Sequence, residues 1–283
     1  MDFCILAKYV SLFKTGKRVQ GLKAFVRSGA EARSMVKSKI LNVLRAIMPK
    51  NVKRIYTEFR AKKFKDEMSG KSTEEVFTEI YRRGIWGRSR DGSPYYSGSG
   101  SHESRIIKGY VDAIKKFISD LKYAPDVVDL GCGDFTIGEK IRPVCKGYIA
   151  CDIVEELIDY NRKRYSKLDV EFKCINIARN DLPSADVVLV RQVFQHLSNE
   201  EILKALEKIR ISYSYLILTE HLPVKKGFTP NKDKPSGADI RTTIGSGVVL
   251  TECPFNFENI ENYVIFEIEE ENSLIRTTVF RIK

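Results

Sequence analysis

Asp129-Leu130-Gly131-Cys132-Gly133-Asp134-Phe135 continues the apolar run that starts at Val127 and leads into a helical pattern near Ile137–Ile141. A buried strand that turns into a helix through two glycines lets the backbone pass close to a bound nucleotide. Gly-x-Gly alone has little specificity. The NAD fingerprint asks for a third small residue three places after Gly133, but Thr136 stands there, which disfavours a hydride-transfer enzyme. Asp152 ends the next apolar run, Ala150-Cys151-Asp152, and lies 23 residues after Asp129. That is close to the spacing of about 20 expected of a carboxylate accepting from both hydroxyls of a ribose. A lone Asp at a strand end is commonly a helix cap; coupled to the glycine turn, it favours ligand binding.

Outward from this pair the pattern is regular α/β. A helix over Ile106–Leu121 leads into the first strand, and strand-like runs follow at Tyr148–Cys151, Val170–Ile175, Val187–Val190 and Tyr215–Thr219. Helical stretches lie near Glu155–Tyr165 and Glu200–Ile209, the latter opened by a capping box of Ser198 and Glu201. Two final runs, Tyr263–Ile268 and Leu274–Ile282, flank a Glu-Glu-Asn-Ser turn. This alternation with a terminal hairpin predicts a mainly parallel, doubly wound sheet with an antiparallel edge. Two further segments reach the carboxyl edge where such sheets bind ligands: Asn176-Ile177 after the third strand, and Arg191-Gln192-Val193-Phe194-Gln195-His196-Leu197 after the fourth. Asn176 offers an adenine edge both a donor and an acceptor.

From about Ala124 to Lys283 the order of motifs, "DLGCGDF", "ACDIVEELI" and "NIARNDLPSADVVLVRQVFQHLS", resembles the class I S-adenosylmethionine-dependent methyltransferases. The resemblance implies a Rossmann-like seven-stranded sheet of order 3-2-1-4-5-7-6, with S-adenosyl-L-methionine as cofactor. It places the methionine part on Asp129, Gly131, Cys132 and Gly133, the ribose on Asp152 beside Ile153, and the adenine near Asn176 and Ile177, with Arg191 and Gln192 completing the cofactor set. Many relatives carry Asp where Asn176 stands. "FTEIYRRGIWG", "SGSGSHES" and "CPFNF" are similar to a bacterial group associated with surface-polysaccharide or other small-molecule biosynthesis. That likeness makes Trp86–His102 part of a lid and Leu222–Phe257 the acceptor loop.

Methyl transfer is an in-line displacement, so alignment supplies much of its acceleration. A sugar hydroxyl also needs a base, and His221, His196 and Glu220 are the candidates at the carboxyl edge. Asp239 and Arg241, in the acceptor loop, are candidates for binding the acceptor. No clustered acidic or histidine ligands call for a metal. The expected reaction is O-methylation of a sugar or glycan-type acceptor; an RNA methyltransferase and a non-catalytic adenosyl-ligand-binding module are the alternatives.

Charge divides the chain. Of its 283 residues, the first 65 hold 17 Lys/Arg against Asp2, Glu31 and Glu58, a net +14, while the remainder carries −3. Phe3, Leu6, Val10 and Phe13 recur at helical spacing beside Lys14, Lys17 and Arg18, a basic amphipathic pattern that suits an anionic membrane surface better than nucleic acid. Helical patterns continue through Ala30–Met48, and Ser72-Thr73-Glu74-Glu75 reads as a capping box for a helix to about Arg83. The division expected is a basic helical extension (1–70), a helical lid and linker (71–122) and the catalytic domain (123–283). Apolar residues make up 43% and charged ones 30%, too apolar for a disordered chain. No uncharged apolar run approaches the roughly 18 residues of a membrane span, no signal-peptide cleavage site follows the first apolar stretch, and six scattered cysteines without C-x-x-C spacing argue against a zinc site or disulfide scaffold. A cytoplasmic protein, peripheral at the inner face of the membrane, is the expectation.

Overall fold

The computed structural model describes residues 50–283 apart from Arg90, Lys226, Asn259, Glu271 and Asn272. The amphipathic pattern at 3–13 and the helical pattern over 30–48 lie outside the described residues. The chain divides into two units, Met1–Glu67 and Met68–Lys283. In the first, the described residues form most of the helix α1 (Lys50–Met68), where Lys63 and Glu67 pair at i,i+4 spacing. No helix among the described residues is long and apolar enough to cross a membrane.

The second unit opens with α2 (Thr73–Arg83). Ser72 and Glu75 form the expected reciprocal capping box, and Gly84 closes the helix in the left-handed region at φ 60°. After a loop and a short 3-10 turn at Ser99–Ser101 comes α3 (Ser104–Asp120). The sheet elements follow: β1 (Asp126–Leu130), α4 (Gly138–Ile141), β2 (Gly147–Asp152), α5 (Glu155–Arg164), β3 (Glu171–Cys174), β4 (Val187–Arg191), α6 (Asn199–Ser212), β5 (Tyr215–Pro223), β6 (Glu261–Glu270) and β7 (Ser273–Arg281). Their order is β3-β2-β1-β4-β5-β7-β6, as the motif order implied, with β7 antiparallel to both neighbours.

Val127 and Leu189 point to one face of the sheet, Val128 and Val190 to the other, and all four are buried. Such two-sided burial explains why the central strands read as continuous apolar runs. On the first face, Tyr110, Ile114 and Phe117 of α3 join Ile141, Ile158 and Phe172 in one core cluster. The helix α3 is therefore a layer of the same body as the sheet.

Strand ends differ from the sequence reading at β3, β6 and, by most at a single end, β5. β5 runs four residues past Thr219, because Glu220, His221, Leu222 and Pro223 pair with Arg276, Ile275, Leu274 and Ser273 of β7. Polar residues hid this extension: their backbone amides are committed to the ladder whatever their side chains do. Glu220 and His221 consequently sit inside a strand, on opposite faces.

Candidate functional site

At the end of β1 the chain turns sharply. Gly131 and Cys132 donate their N–H groups to the Cys151 carbonyl at 2.8 and 2.9 Å, which ties the turn to β2. Gly131 and Gly133 adopt φ 81° and 56°. A Cβ at Gly131 would meet Val193 Cγ2 at 2.3 Å, and one at Gly133 would meet Ser97 Oγ at 2.3 Å, so both positions exclude any side chain. Phe135, a bulky residue at φ 62°, is held there by edge-to-face packing against Tyr148, Tyr165 and Phe172.

This turn forms one wall of a cavity of about 540 Å³, within the usual range of small-molecule sites. Asp129, Gly131, Cys132, Gly133, Asp152 and Ile153 line it, as do Asn176, Ile177, Arg191 and Gln192. Asp152 accepts from the Gly133 N–H at 3.0 Å and the Val154 N–H at 3.1 Å, and Asp129 from the Tyr148 hydroxyl at 3.0 Å. Burial pushes Asp129 up to about 7, against the lowering effects of Tyr148 and Arg191, and pushes Asp152 up to about 6 despite its backbone bonds. Two desolvated carboxylates and a backbone cradle without side chains fit a ligand that carries positive charge and ribose hydroxyls. Asn176 is more constrained than its sequence position suggested. Its Oδ1 accepts from the Ala178 N–H and its Nδ2 donates to Glu74 at 2.6 Å, leaving one amide hydrogen for an adenine edge.

The loop between α2 and α3 covers the turn. Asp134 Oδ2 accepts from the Ser97 N–H at 2.9 Å and meets His102 Nε2 at 2.7 Å, while the Asp134 N–H donates to Ser97 Oγ at 2.8 Å. Burial raises the Asp134 pKa, but the His102 and Ser97 bonds outweigh it and hold the carboxyl below its ordinary value. Tyr81 joins through Ser97 Oγ at 3.1 Å, and Tyr96 stacks on His102 with centroids 4.4 Å apart. Arg191 reaches up from β4 to the Gly100 carbonyl and to Ser101 Oγ.

The candidate bases separate clearly. Glu220 does not line the cavity. Its carboxylate accepts from the Phe194 and Gln195 N–H groups at 3.0 and 3.1 Å, and burial pushes it up to about 8 against those bonds; it holds the turn after β4 and faces no acceptor. His196 lines the cavity, but its Nδ1 donates to the Gly237 carbonyl at 3.1 Å and its Nε2 faces the Gln195 amide nitrogen at 3.4 Å. Both ring nitrogens are engaged, and burial pushes the imidazole down to about 3, so it stays neutral and packs against Trp86 and Phe77. His221 lines the cavity as well. Gln195 Oε1 accepts from the His221 backbone N–H at 3.3 Å and from its Nδ1 at 3.0 Å, and Nε2 lies 3.2 Å from Glu270 Oε2. Burial lowers the His221 pKa, and Glu270 counters part of that shift.

The acceptor-loop candidates fall outside the cavity wall. Arg241 is fully buried, donating to the Lys232 and Leu197 carbonyls, where it pins the loop; Asp239 is exposed. Instead Ala238, Ile240, Thr242 and Thr243 of that loop reach the cavity. Sequence reasoning also missed Gln195, present in the quoted motif without a role, and Glu270 and Ser273, which arrive from the hairpin and carry no local motif. No group of three or more His, Cys, Asp or Glu among the described residues is arranged to hold a metal ion.

Residues 127–212 match a protein family described as a methyltransferase domain. A protein of Mycolicibacterium smegmatis described as a probable S-adenosylmethionine-dependent methyltransferase is 30% identical over 114 residues, which cover 39% of this chain and 42% of that protein. A similarly described protein of Mycobacterium tuberculosis is 32% identical over 114 residues, 40% of each chain. The chain thus matches well under half the length of these curated relatives. Among solved structures, the N-methyltransferase NodS of Bradyrhizobium japonicum in complex with S-adenosyl-l-homocysteine aligns with a TM-score of 0.53 at 11% identity, over 74% of this chain and 100% of that one, a likeness of fold.

Proposed function

We propose that this chain, whose Rossmann-like methyltransferase domain takes S-adenosyl-L-methionine as cofactor, methylates a hydroxyl of a sugar or glycan-type acceptor. In this reading the residues of the β1 turn with Asp152 and Ile177 hold the cofactor, whose sulfonium supplies an electrophilic methyl group. The observation that carries the acceptor class is His221: an imidazole in the cavity wall with its Nδ1 fixed as a donor, so that Nε2 is its basic nitrogen. An alcohol needs such a base at neutral pH, whereas a neutral amine does not. The surrounding wall supports a polyol. Thr242, Thr243, Ser273 and Gln195 offer hydroxyl and amide groups, and the Trp86 ring offers an apolar face.

His221→Asn tests this reading. Turnover on a glycan panel with labelled cofactor should fall about 10²-fold or more, the contribution expected of a general base, while calorimetric cofactor affinity stays unchanged. Retained turnover, or label entering RNA and no glycan, overturns it. The basic extension fits the same reading as a reversible dock on an anionic membrane near a lipid-linked acceptor, with each engaged Lys or Arg adding about 1 kcal/mol.

A further inference from the structure

The proposed base does not stand alone, and its surroundings restrict how it can carry a proton. Gln195 fixes them. Its Oε1 must be the amide oxygen, because the His221 backbone N–H can only donate to it. The same oxygen therefore takes a proton from His221 Nδ1, and the Gln195 amide nitrogen is directed at His196 Nε2. His196 cannot answer by changing tautomer, since its own Nδ1 is held as a donor by the Gly237 carbonyl. Gln195 thus sets the tautomer of His221, and the Gly237 carbonyl sets that of His196.

With Nδ1 protonated, a neutral His221 presents the Nε2 lone pair to the Glu270 carboxylate at 3.2 Å. Two acceptors at that distance leave a place for one proton between them. Both residues line the cavity, Glu270 from the end of β6 and His221 from within β5. The groups facing this notch are Glu270 from β6, Arg191 from β4, and Gln195 and His196 from the turn that follows β4. Glu220, beside His221 in β5, points to the opposite face and bonds backbone amides.

We propose that His221 and Glu270 form a single proton-accepting notch, with Gln195 as the positioning residue that holds His221 in the one tautomer able to use it. This rests on the reading of His221 as the base for a hydroxyl acceptor. As the acceptor oxygen forms its bond to the methyl carbon, the carbon–sulfur bond breaks with its electron pair remaining on sulfur. The hydroxyl proton passes to Nε2. The imidazolium then lies against the ionised Glu270, so the reaction begins with a cationic cofactor and a lone carboxylate and ends with a neutral thioether and an internal ion pair. With both side chains largely buried, removing separated charges favours the forward step.

Four variants decide it. In ligand-free protein, the His221 ring nitrogens followed by NMR against pH should show the Nδ1–H tautomer above the titration midpoint. Glu270→Gln should move that midpoint to lower pH, because the carboxylate raises it. The same variant should lower turnover on the glycan acceptor at least tenfold and shift the rising limb of its pH profile the same way, with cofactor affinity unchanged. Glu270→Asp should restore part of the turnover. Gln195→Leu should leave His221 in a mixture of tautomers. An unmoved midpoint in Glu270→Gln, or a single tautomer retained in Gln195→Leu, overturns the notch. His221→Asn separates the two failures: lost turnover there with a normal Glu270→Gln enzyme defeats the notch alone, whereas retained turnover defeats the base itself.

Discussion

On the proposed reading, Asp129 and Asp152 are the residues whose charge state matters most for cofactor binding, since burial holds them at about 7 and about 6. A cationic ligand favours their ionised forms and lowers both values on binding. Binding then releases protons, and affinity is full above about pH 7 and falls as pH drops through 7 toward 6. Calorimetry in buffers of different ionisation enthalpy should record that release between pH 6 and 7. Asp152→Ala should weaken S-adenosylmethionine binding at least tenfold, since a hydrogen bond to a charged group contributes about 1.5–3 kcal/mol; unchanged affinity would remove the ribose role. These acids were legible in the sequence because strand ends and glycine spacing are local signals. Glu270 was not: it becomes a site residue only when antiparallel pairing brings the hairpin back beside β5, a consequence of topology that its neighbours in sequence do not encode.

At the scale of elements, the loop between α2 and α3 is fastened to the glycine turn by Asp134, Ser97 and His102. His102→Ala removes one partner of a buried carboxylate and should loosen residues 91–101. Faster amide hydrogen exchange there, together with weaker cofactor binding and an unchanged rate in β1 and β4, is the expected result. The depressed Asp134 pKa sets the pH window of the fastening. Its stabilising contribution is complete above the ordinary carboxylate value of about 4 and is lost as pH falls through the lower, folded value. The two capping boxes, at Ser72 and Ser198, were readable residue by residue because a cap is a local bond between positions three apart. The true length of β5 was not, since the ladder that extends it comes from β7, fifty or more residues away.

For the whole molecule, charge asymmetry makes the sharpest prediction. Reversing Lys14, Lys17 and Arg18 to Glu in the full chain should reduce sedimentation with anionic vesicles and its salt sensitivity while leaving cofactor affinity unchanged. Equal sedimentation of both proteins would end the membrane proposal. The unit that carries the sheet offers a different opportunity. Its single tryptophan, Trp86, lies in the loop between α2 and α3, with its ring 5.0 Å from His196 and its Nε1 donating to the Ala238 carbonyl of the loop after β5 at 3.2 Å. One fluorophore is therefore shared by the loop between α2 and α3, the cavity wall and the loop that follows β5. Emission of the unlabelled protein should change when a compound enters the cavity, so the acceptor can be sought by optical titration of compound libraries before any assay for a methylated product exists.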